Sequence, residues 1–178
     1  MQISEDRIRK LKEKAIKLRN SVDLAASSTG SLEFQTQLVA LCRQKTQFQL
    51  EISIRDHILR VDEPESSGGD NTAASPFDTL LTAFAGCIQM NWLIYSSIHQ
   101  VSLQNVETEI TGTIDRRYPL GTVPARLLAV RIISRLYTAE KPEKFDRIFE
   151  KVKQFCIVGN SLHPDIEKEY ILEFHPPQ

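Results

Sequence analysis

The feature that most restricts the fold is one long apolar stretch, residues 76–100, which reads PFDTLLTAFAGCIQMNWLIYSSIHQ. Its apolar residues recur at steps of three and four, which is the spacing of one helical face, and others fill much of the remaining circumference. Because a helix that is apolar nearly all round is buried in a core, this pattern predicts a long central helix. Ser75 is the expected N-cap, and Pro76 suits the first helical position. Gln89 and Asn91 interrupt the run, so a membrane span is not expected.

Composition limits the classes of function. The chain has 178 residues, which suits one domain or one domain with an appendage. Its formal net charge of −1 disfavours binding to nucleic acid. The first residues carry no apolar signal segment. The three cysteines are an odd number and form no C-x-x-C pair, which favours a cytoplasmic chain without a disulfide scaffold. The four histidines share no metal-ligand spacing with the cysteines, so neither a metal nor another cofactor is expected.

The N-terminal region is predicted to be an appendage. Residues 5–20 have the pattern of an amphipathic helix. Its apolar residues form one narrow stripe: Ile8, Leu11, Ala15 and Leu18. This stripe could pack at the edge of the domain or on a second subunit, and the sequence leaves both open. Residues 25–31, AASSTGS, have the composition of a linker, so we divide the chain into an appendage at 1–31 and a main domain at 32–178.

The region before the central helix has the alternating pattern of β-strands. Three strands are predicted between residues 32 and 61, with turns near 43–45 and 55–57. Residues 62–75, DEPESSGGDNTAAS, are acidic and rich in turn formers, so they are predicted to be a loop.

The region after the central helix adds two strands, a helix and a last strand. The strands are predicted at residues 106–114, 128–136 and 170–174, and the helix runs from Pro142 to the turn formers Gly159 and Asn160. The order β-β-β-α-β-β-α-β predicts an α+β fold, with antiparallel sheets around a long buried central helix.

Two cysteines occupy notable positions in this pattern. Cys87 lies within the central helix, and Cys156 lies near the end of the second predicted helix. A single free cysteine is usually a small buried hydrophobe, and that interpretation suffices for Cys42.

Residues 62–87, DEPESSGGDNTAASPFDTLLTAFAGC, and residues 156–162, CIVGNSL, resemble the two signatures of the OsmC/Ohr family. The first signature has a D-E-P triplet, a Gly-Gly loop and P-x-E-L-L-L-A-A-L-x-x-C. Matching residues stand here in register: Asp62-Glu63-Pro64, Gly68-Gly69, Pro76, Leu80-Leu81, Ala83, Gly86 and Cys87. The second signature, C-P-V-x-N-T-L, is similar to residues 156–162, CIVGNSL, and VETEITGTIDRR matches the strand between them. The resemblance covers about residues 34–174.

The resemblance implies an OsmC-like fold, an intertwined homodimer and a thiol-dependent reduction of hydroperoxides, many of them organic. Carried over to this chain, Cys87 would be the peroxidatic cysteine and Cys156 the resolving one. A peroxide oxidises the first thiolate to a sulfenic acid, and the second thiol condenses with it to a disulfide. An external dithiol reductant is then needed to restore both thiols.

The resemblance also implies an arginine near the reactive thiol, because burial alone keeps a thiol protonated and unreactive. Arg43 is the first candidate, with Arg55 and Arg60 as alternatives, and Asp78 is the carboxylate that would hold it. Simpler interpretations exist for each: a carboxylate in the first turn of a helix is favourable by itself, and the arginines could be solvated strand residues. A second function also stays open, a non-catalytic dimer of the same fold that binds an apolar small molecule at its interface.

Overall fold

The computed structural model describes residues 3–24 and 35–177, and the predicted linker at 25–31 lies outside them. The secondary structure runs in this order: α1 Glu5–Leu24, β1 Ala40–Thr46, β2 Gln49–Ile54, β3 His57–Val61, α2 Pro76–Ile98, β4 Asn105–Ile114, β5 Leu127–Tyr137, α3 Asp146–Gln154, α4 Ile157–Ser161 and β6 Glu167–His175. Short 3-10 turns precede α2, β5 and α3. This order is α+β, as predicted. Within the described residues, no helix combines the length and the apolar character needed to cross a membrane.

The chain divides into two units, residues 10–80 and residues 1–9 with 81–178. The first unit contains an antiparallel sheet of strand order β1-β2-β3. Thr46 pairs with Gln49 and Ile54 with His57, so both hairpins have two-residue turns. The first turn residue of each, Gln47 or Arg55, has a positive φ.

The first hairpin corrects the sequence prediction. The first strand was expected to end at a turn near residues 43–45. It instead begins at Ala40 and continues to Thr46, and the turn lies at residues 47–48. Every residue of β1 is exposed. Polar side chains are therefore tolerated along the whole strand, and the polar run at 43–45 does not mark a turn.

The loop before α2 is held by its own polar groups. The buried carboxylate of Asp62 accepts hydrogen bonds from the Thr72 N–H (3.0 Å), the Thr72 hydroxyl (2.8 Å) and the Glu63 N–H (2.8 Å). The Thr72 N–H contributes most to holding the pKa of Asp62 below its ordinary value. A Cβ atom on Gly69 would lie 2.0 Å from the Glu63 carbonyl oxygen, so only glycine fits there.

Helix α2 begins and ends with recognisable caps. The Ser75 hydroxyl accepts a hydrogen bond from the Asp78 N–H (3.1 Å), which confirms Ser75 as the N-cap. At the other end Gln100 has a φ of +57°, and the Val101 N–H bonds the Ser96 carbonyl (2.9 Å). This is the Schellman arrangement, and it ends the helix at Ile98, two residues before the predicted end.

The second unit contains the sheet β4-β5-β6. Its β4–β5 pair is antiparallel, but β5 and β6 are parallel, whereas the sequence predicted antiparallel sheets throughout. The reason is the connection, because α3 and α4 lie between β5 and β6 and form the crossover that a parallel pair requires.

The core of the second unit forms around one stripe of α2. The buried residues of this helix recur every four positions: Phe84, Ile88, Trp92 and Ser96. The Trp92 indole N–H donates to the Ser134 hydroxyl of β5 (2.9 Å), and the Trp92 ring stacks on Phe149 of α3. Met90 is 65% exposed. The sequence predicted a helix buried on nearly all sides, whereas within one chain α2 is buried only along this stripe.

Candidate functional site

Two of the predicted site residues, Cys87 and Cys156, meet in the second unit. The two side chains are close enough that a side-chain hydrogen bond with Cys87 contributes to the raised pKa of Cys156, and both cysteines are free. Cys87 is half-buried on α2, whereas Cys156 is fully buried. The pair therefore joins a partly exposed residue to an enclosed one.

Cys156 is held where the predicted second helix breaks in two. That helix was expected to continue to Gly159 and Asn160, but α3 ends at Gln154 and Cys156 is the N-cap of the short helix α4. The Cys156 sulfur accepts a hydrogen bond from the Gly159 N–H (3.3 Å). The Asn160 side chain donates a hydrogen bond to the Gln154 carbonyl (2.8 Å). This bond gives a partner to a carbonyl group at the C-terminal end of α3, which has none within the helix. The break in the helix thus fixes the position of the sulfur.

Helix α4 approaches α2 closely at Gly159, which the sequence analysis did not identify as a site residue. A Cβ atom on Gly159 would lie 2.7 Å and 2.9 Å from carbon atoms of the Phe84 ring and 3.3 Å from the Cys156 sulfur. Phe84 is buried and lies three residues before Cys87, on the preceding turn of α2. The absence of a side chain at Gly159 is what lets the Cys156 segment lie against the Cys87 turn.

The electrostatic surroundings keep Cys156 protonated. Burial raises the pKa of Cys156 to about 12, against a weaker opposite effect of the Gly159 N–H. The neighbouring Cys87 contributes to this rise. Burial also raises the pKa of Tyr170 on β6, and a charge on Cys156 adds to that effect, so this tyrosine belongs to the same surroundings. Cys156 is therefore a thiol at neutral pH.

Asp78 has a structural role in the first turn of α2. Its carboxylate accepts hydrogen bonds from the Ser75 N–H (2.9 Å) and the Ser75 hydroxyl (2.7 Å). Together with the bond from the Asp78 N–H to Ser75, this forms a capping box. The arginine partner predicted for Asp78 stays a prediction.

The candidate arginines all belong to the first unit, whereas both site cysteines belong to the second. Arg43 is exposed on β1, where it pairs across the sheet with Glu51. Arg60 is exposed on β3, and Arg55 lies in the turn before that strand. Cys42 is exposed on β1 in the first unit. Within residues 3–24 and 35–177, no group of three or more His, Cys, Asp and Glu side chains could hold a metal ion.

The sequence profile of the OsmC family, described as OsmC-like protein, matches residues 68–170, more than half of the chain. The chain belongs to the OsmC-like family. The matched segment contains both cysteines of the pair, Cys87 and Cys156, and the short helix α4. No curated protein matches the sequence.

Solved structures of OsmC-like proteins share the fold. An OsmC-like protein from Mycoplasma pneumoniae superposes with a TM-score of 0.67 at 11% identity, over 79% of this chain and 99% of that one. An organic hydroperoxide resistance protein from Elizabethkingia anophelis gives 0.64 at 13% identity, over 80% and 99%. The organic hydroperoxide resistance protein OsmC from Legionella pneumophila gives 0.61 at 14% identity, over 78% and 97%. At these identities the likeness establishes the fold.

Proposed function

We propose that this chain reduces organic hydroperoxides, with Cys87 as the peroxidatic cysteine and Cys156 as the resolving cysteine. The observation that carries the proposal is the contact between the two thiol groups, one half-buried and one fully buried. Two of the similar solved structures are named as organic hydroperoxide resistance proteins, which supports the same substrate class.

The difference in burial between the two cysteines supports the following order of steps. A peroxide that arrives from solvent meets the half-buried Cys87 first. The Cys87 thiolate attacks one oxygen of the O–O bond, the bond breaks, and the other oxygen leaves as an alkoxide that takes a proton to become an alcohol. Cys87 is then a sulfenic acid, oxidised by the two electrons that the peroxide gained.

Cys156 completes the cycle from its buried position. Its sulfur displaces the hydroxyl group of the Cys87 sulfenic acid, and its proton leaves with that hydroxyl as water. Because Cys156 is protonated and enclosed, it stays unoxidised until Cys87 has reacted. An external dithiol then reduces the Cys87–Cys156 disulfide by exchange, and the chain returns to two free thiols.

The reactive thiolate needs a cation, and we propose an arginine of the first unit for this role. Arg43 is the first candidate, and Arg55 and Arg60 are the alternatives. A guanidinium stabilises the thiolate form and so increases the fraction of reactive sulfur at neutral pH.

Stoichiometric oxidation tests the assignment of the cysteines. The reduced protein should consume one equivalent of cumene hydroperoxide per chain and form a Cys87–Cys156 disulfide that mass spectrometry detects. Cys87→Ser should abolish consumption. Cys156→Ser should consume one equivalent and retain a sulfenic acid, which dimedone traps.

Cys42→Ser is the matched control and should behave as the unaltered chain does, because Cys42 lies outside the thiol pair. If Cys87→Ser consumes peroxide normally, the peroxidase assignment is wrong. An OsmC-like dimer that binds an apolar small molecule without turnover would then be the better account.

The two roles considered for Asp78 make different predictions. Asp78→Asn keeps an acceptor for Ser75 but removes the charge, whereas Ser75→Ala removes the cap and keeps the charge. If Asp78 positions the arginine, Asp78→Asn should lower the second-order rate of peroxide consumption at least about tenfold, and Ser75→Ala should not. Ser75→Ala should instead lower the free energy of unfolding by about 1 kcal/mol. Equal rates in Asp78→Asn and the unaltered chain would leave Asp78 with a capping role only.

A further inference from the structure

Helix α1 carries an apolar stripe that is largely open to solvent. Its members are spaced by three and four residues in alternation: Ile8, Leu11, Ala15, Leu18 and Val22. Leu11, Leu18 and Val22 are 37%, 52% and 50% exposed, Ala15 is exposed, and Ile8 is half-buried. Alternating steps of three and four form the seam by which one helix packs along another.

Basic residues lie along both edges of this stripe, and Glu5 stands at the start of one edge. At about 100° per residue, Arg7 and Lys14 lie along one edge of the seam, and Lys12 and Arg19 lie along the other. All four residues are exposed. The acidic Glu13 projects from the opposite side of the helix. Of the seven basic residues of α1, these four flank the apolar stripe, and Arg9, Lys10 and Lys17 lie on the other side of the helix.

This charge pattern disfavours pairing with a second copy of α1. In a two-stranded helical seam, the residues at the edges of one helix face those of its partner. Two copies would place Lys14 opposite Arg19 and Arg7 opposite Lys12, and such like charges repel. A partner helix with Asp or Glu at its edges would meet all four basic residues favourably.

The pattern also differs from that of a helix that lies on a membrane. Such helices bury a broad apolar face with Trp, Phe or Leu. Here the stripe is only as wide as a helix–helix seam, with Ala15 at its centre, and α1 contains no aromatic residue. Ile16, 58% exposed, is a single apolar residue beyond the stripe and does not widen it into a broad face.

We propose that the α1 stripe is a docking surface for an amphipathic helix of another protein, one whose own apolar stripe is flanked by acidic residues. The apolar side chains supply the buried area, and the four basic residues select the partner. The argument uses no residue of the thiol pair, so the proposal does not depend on peroxide reduction.

A charge-swap experiment with the full chain tests this proposal. The probe is a fluorescent synthetic peptide of three heptads with Ile and Leu in the seam and Glu at the edges. Its matched control has Lys at those edges. The Glu peptide should bind at least about tenfold more tightly than the Lys peptide, and its binding should weaken with salt.

Two variants locate the binding on α1. The fourfold variant Arg7→Glu, Lys12→Glu, Lys14→Glu, Arg19→Glu should reverse the preference and bind the Lys peptide. A reversal, unlike a loss, cannot come from misfolding. Leu11→Asn with Leu18→Asn should bind neither peptide, while circular dichroism checks that its helix content is retained.

Three results would overturn the proposal. The first is equal affinity for the two peptides, or affinity for neither. The second is binding of the unaltered chain to phosphatidylglycerol vesicles together with no binding of the Glu peptide. The third is self-association that Leu11→Asn with Leu18→Asn abolishes, because a second copy would then occupy the seam.

Discussion

Single side chains make the two cysteines chemically unequal. Cys156 is enclosed and is held by the Gly159 N–H, whereas Cys87 is half-buried on a regular turn of α2. Since burial penalises the thiolate, the Cys156 proton is bound more tightly in the folded chain than in the unfolded one. Folding and ionisation of this residue are therefore linked.

We predict that this linkage lowers stability at alkaline pH. The ordinary pKa of a cysteine thiol is 9.0, and that of Cys156 in the folded chain is about 12. The contribution of this thiol to the free energy of unfolding is therefore fully present below pH 9 and is lost as the pH rises towards 12. The free energy of unfolding should fall by about 1.4 kcal/mol per pH unit from this group alone. Urea unfolding of the reduced protein at several pH values above 8, compared with Cys156→Ala, isolates the effect. Parallel pH profiles for the two proteins would contradict it.

The sequence allowed the two cysteines proposed to react to be identified, but not the residues that hold them in place. Cys87 and Cys156 were found because motifs surround them. Gly159 occupies a variable position of the second motif, and Phe84 looks like any core residue of α2. Their importance lies in a close approach between two helices, and such a distance has no signature in one sequence.

At the scale of elements, the break between α3 and α4 positions the Cys156 sulfur. A continuous helix would have carried Cys156 onward on a regular turn. The break makes it an N-cap instead, with the Gly159 N–H directed at its sulfur. The contact of Gly159 with Phe84 then holds α4 against α2.

We predict that Gly159→Ala slows disulfide formation without blocking the first oxidation. The added Cβ atom overlaps the Phe84 ring, so α4 must shift and the free energy of unfolding should fall by about 1–3 kcal/mol. Gly86→Ala is the control, because a Cβ there meets nothing within 4 Å and should stabilise α2 by about 0.5–1 kcal/mol. Stopped-flow fluorescence and quenched mass spectrometry separate the two steps. Unchanged disulfide formation in Gly159→Ala would show that α4 tolerates the shift.

Elements with strong periodicity were predicted well, and those set by tertiary context were not. Strand β4 begins one residue before its predicted start and ends where predicted. Strand β5 is one residue longer than predicted at each end. The β1 hairpin was misplaced because its turn uses Gln47 in a conformation that usually calls for glycine or asparagine. The direction of β6 depends on how its crossover packs, which no local pattern records.

At the scale of the whole molecule, the sheet of the first unit needs a covering surface. In β1, β2 and β3 only Val61 is buried, and several large apolar side chains are exposed. They are Leu41, Ile58 and Leu59, with Leu38 and Val39 just before β1 and Phe48 in its turn. A three-stranded sheet is stable in water only when one of its faces is packed. Exposed apolar groups of this extent mark an interaction site.

We predict that two copies of this chain form an obligate homodimer that covers these side chains and buries more than about 2,000 Å², the range of permanent interfaces. Sedimentation equilibrium at micromolar concentration should show a dimer. Ile58→Glu should weaken it, because Ile58 is 64% exposed on β3 and a buried, unpaired carboxylate is strongly unfavourable. Glu143→Lys, at an exposed position in the turn before α3, is the control and should leave the dimer intact. A stable monomer of the unaltered chain would contradict the prediction, and dimerisation of Ile58→Glu with undiminished affinity would place the interface elsewhere.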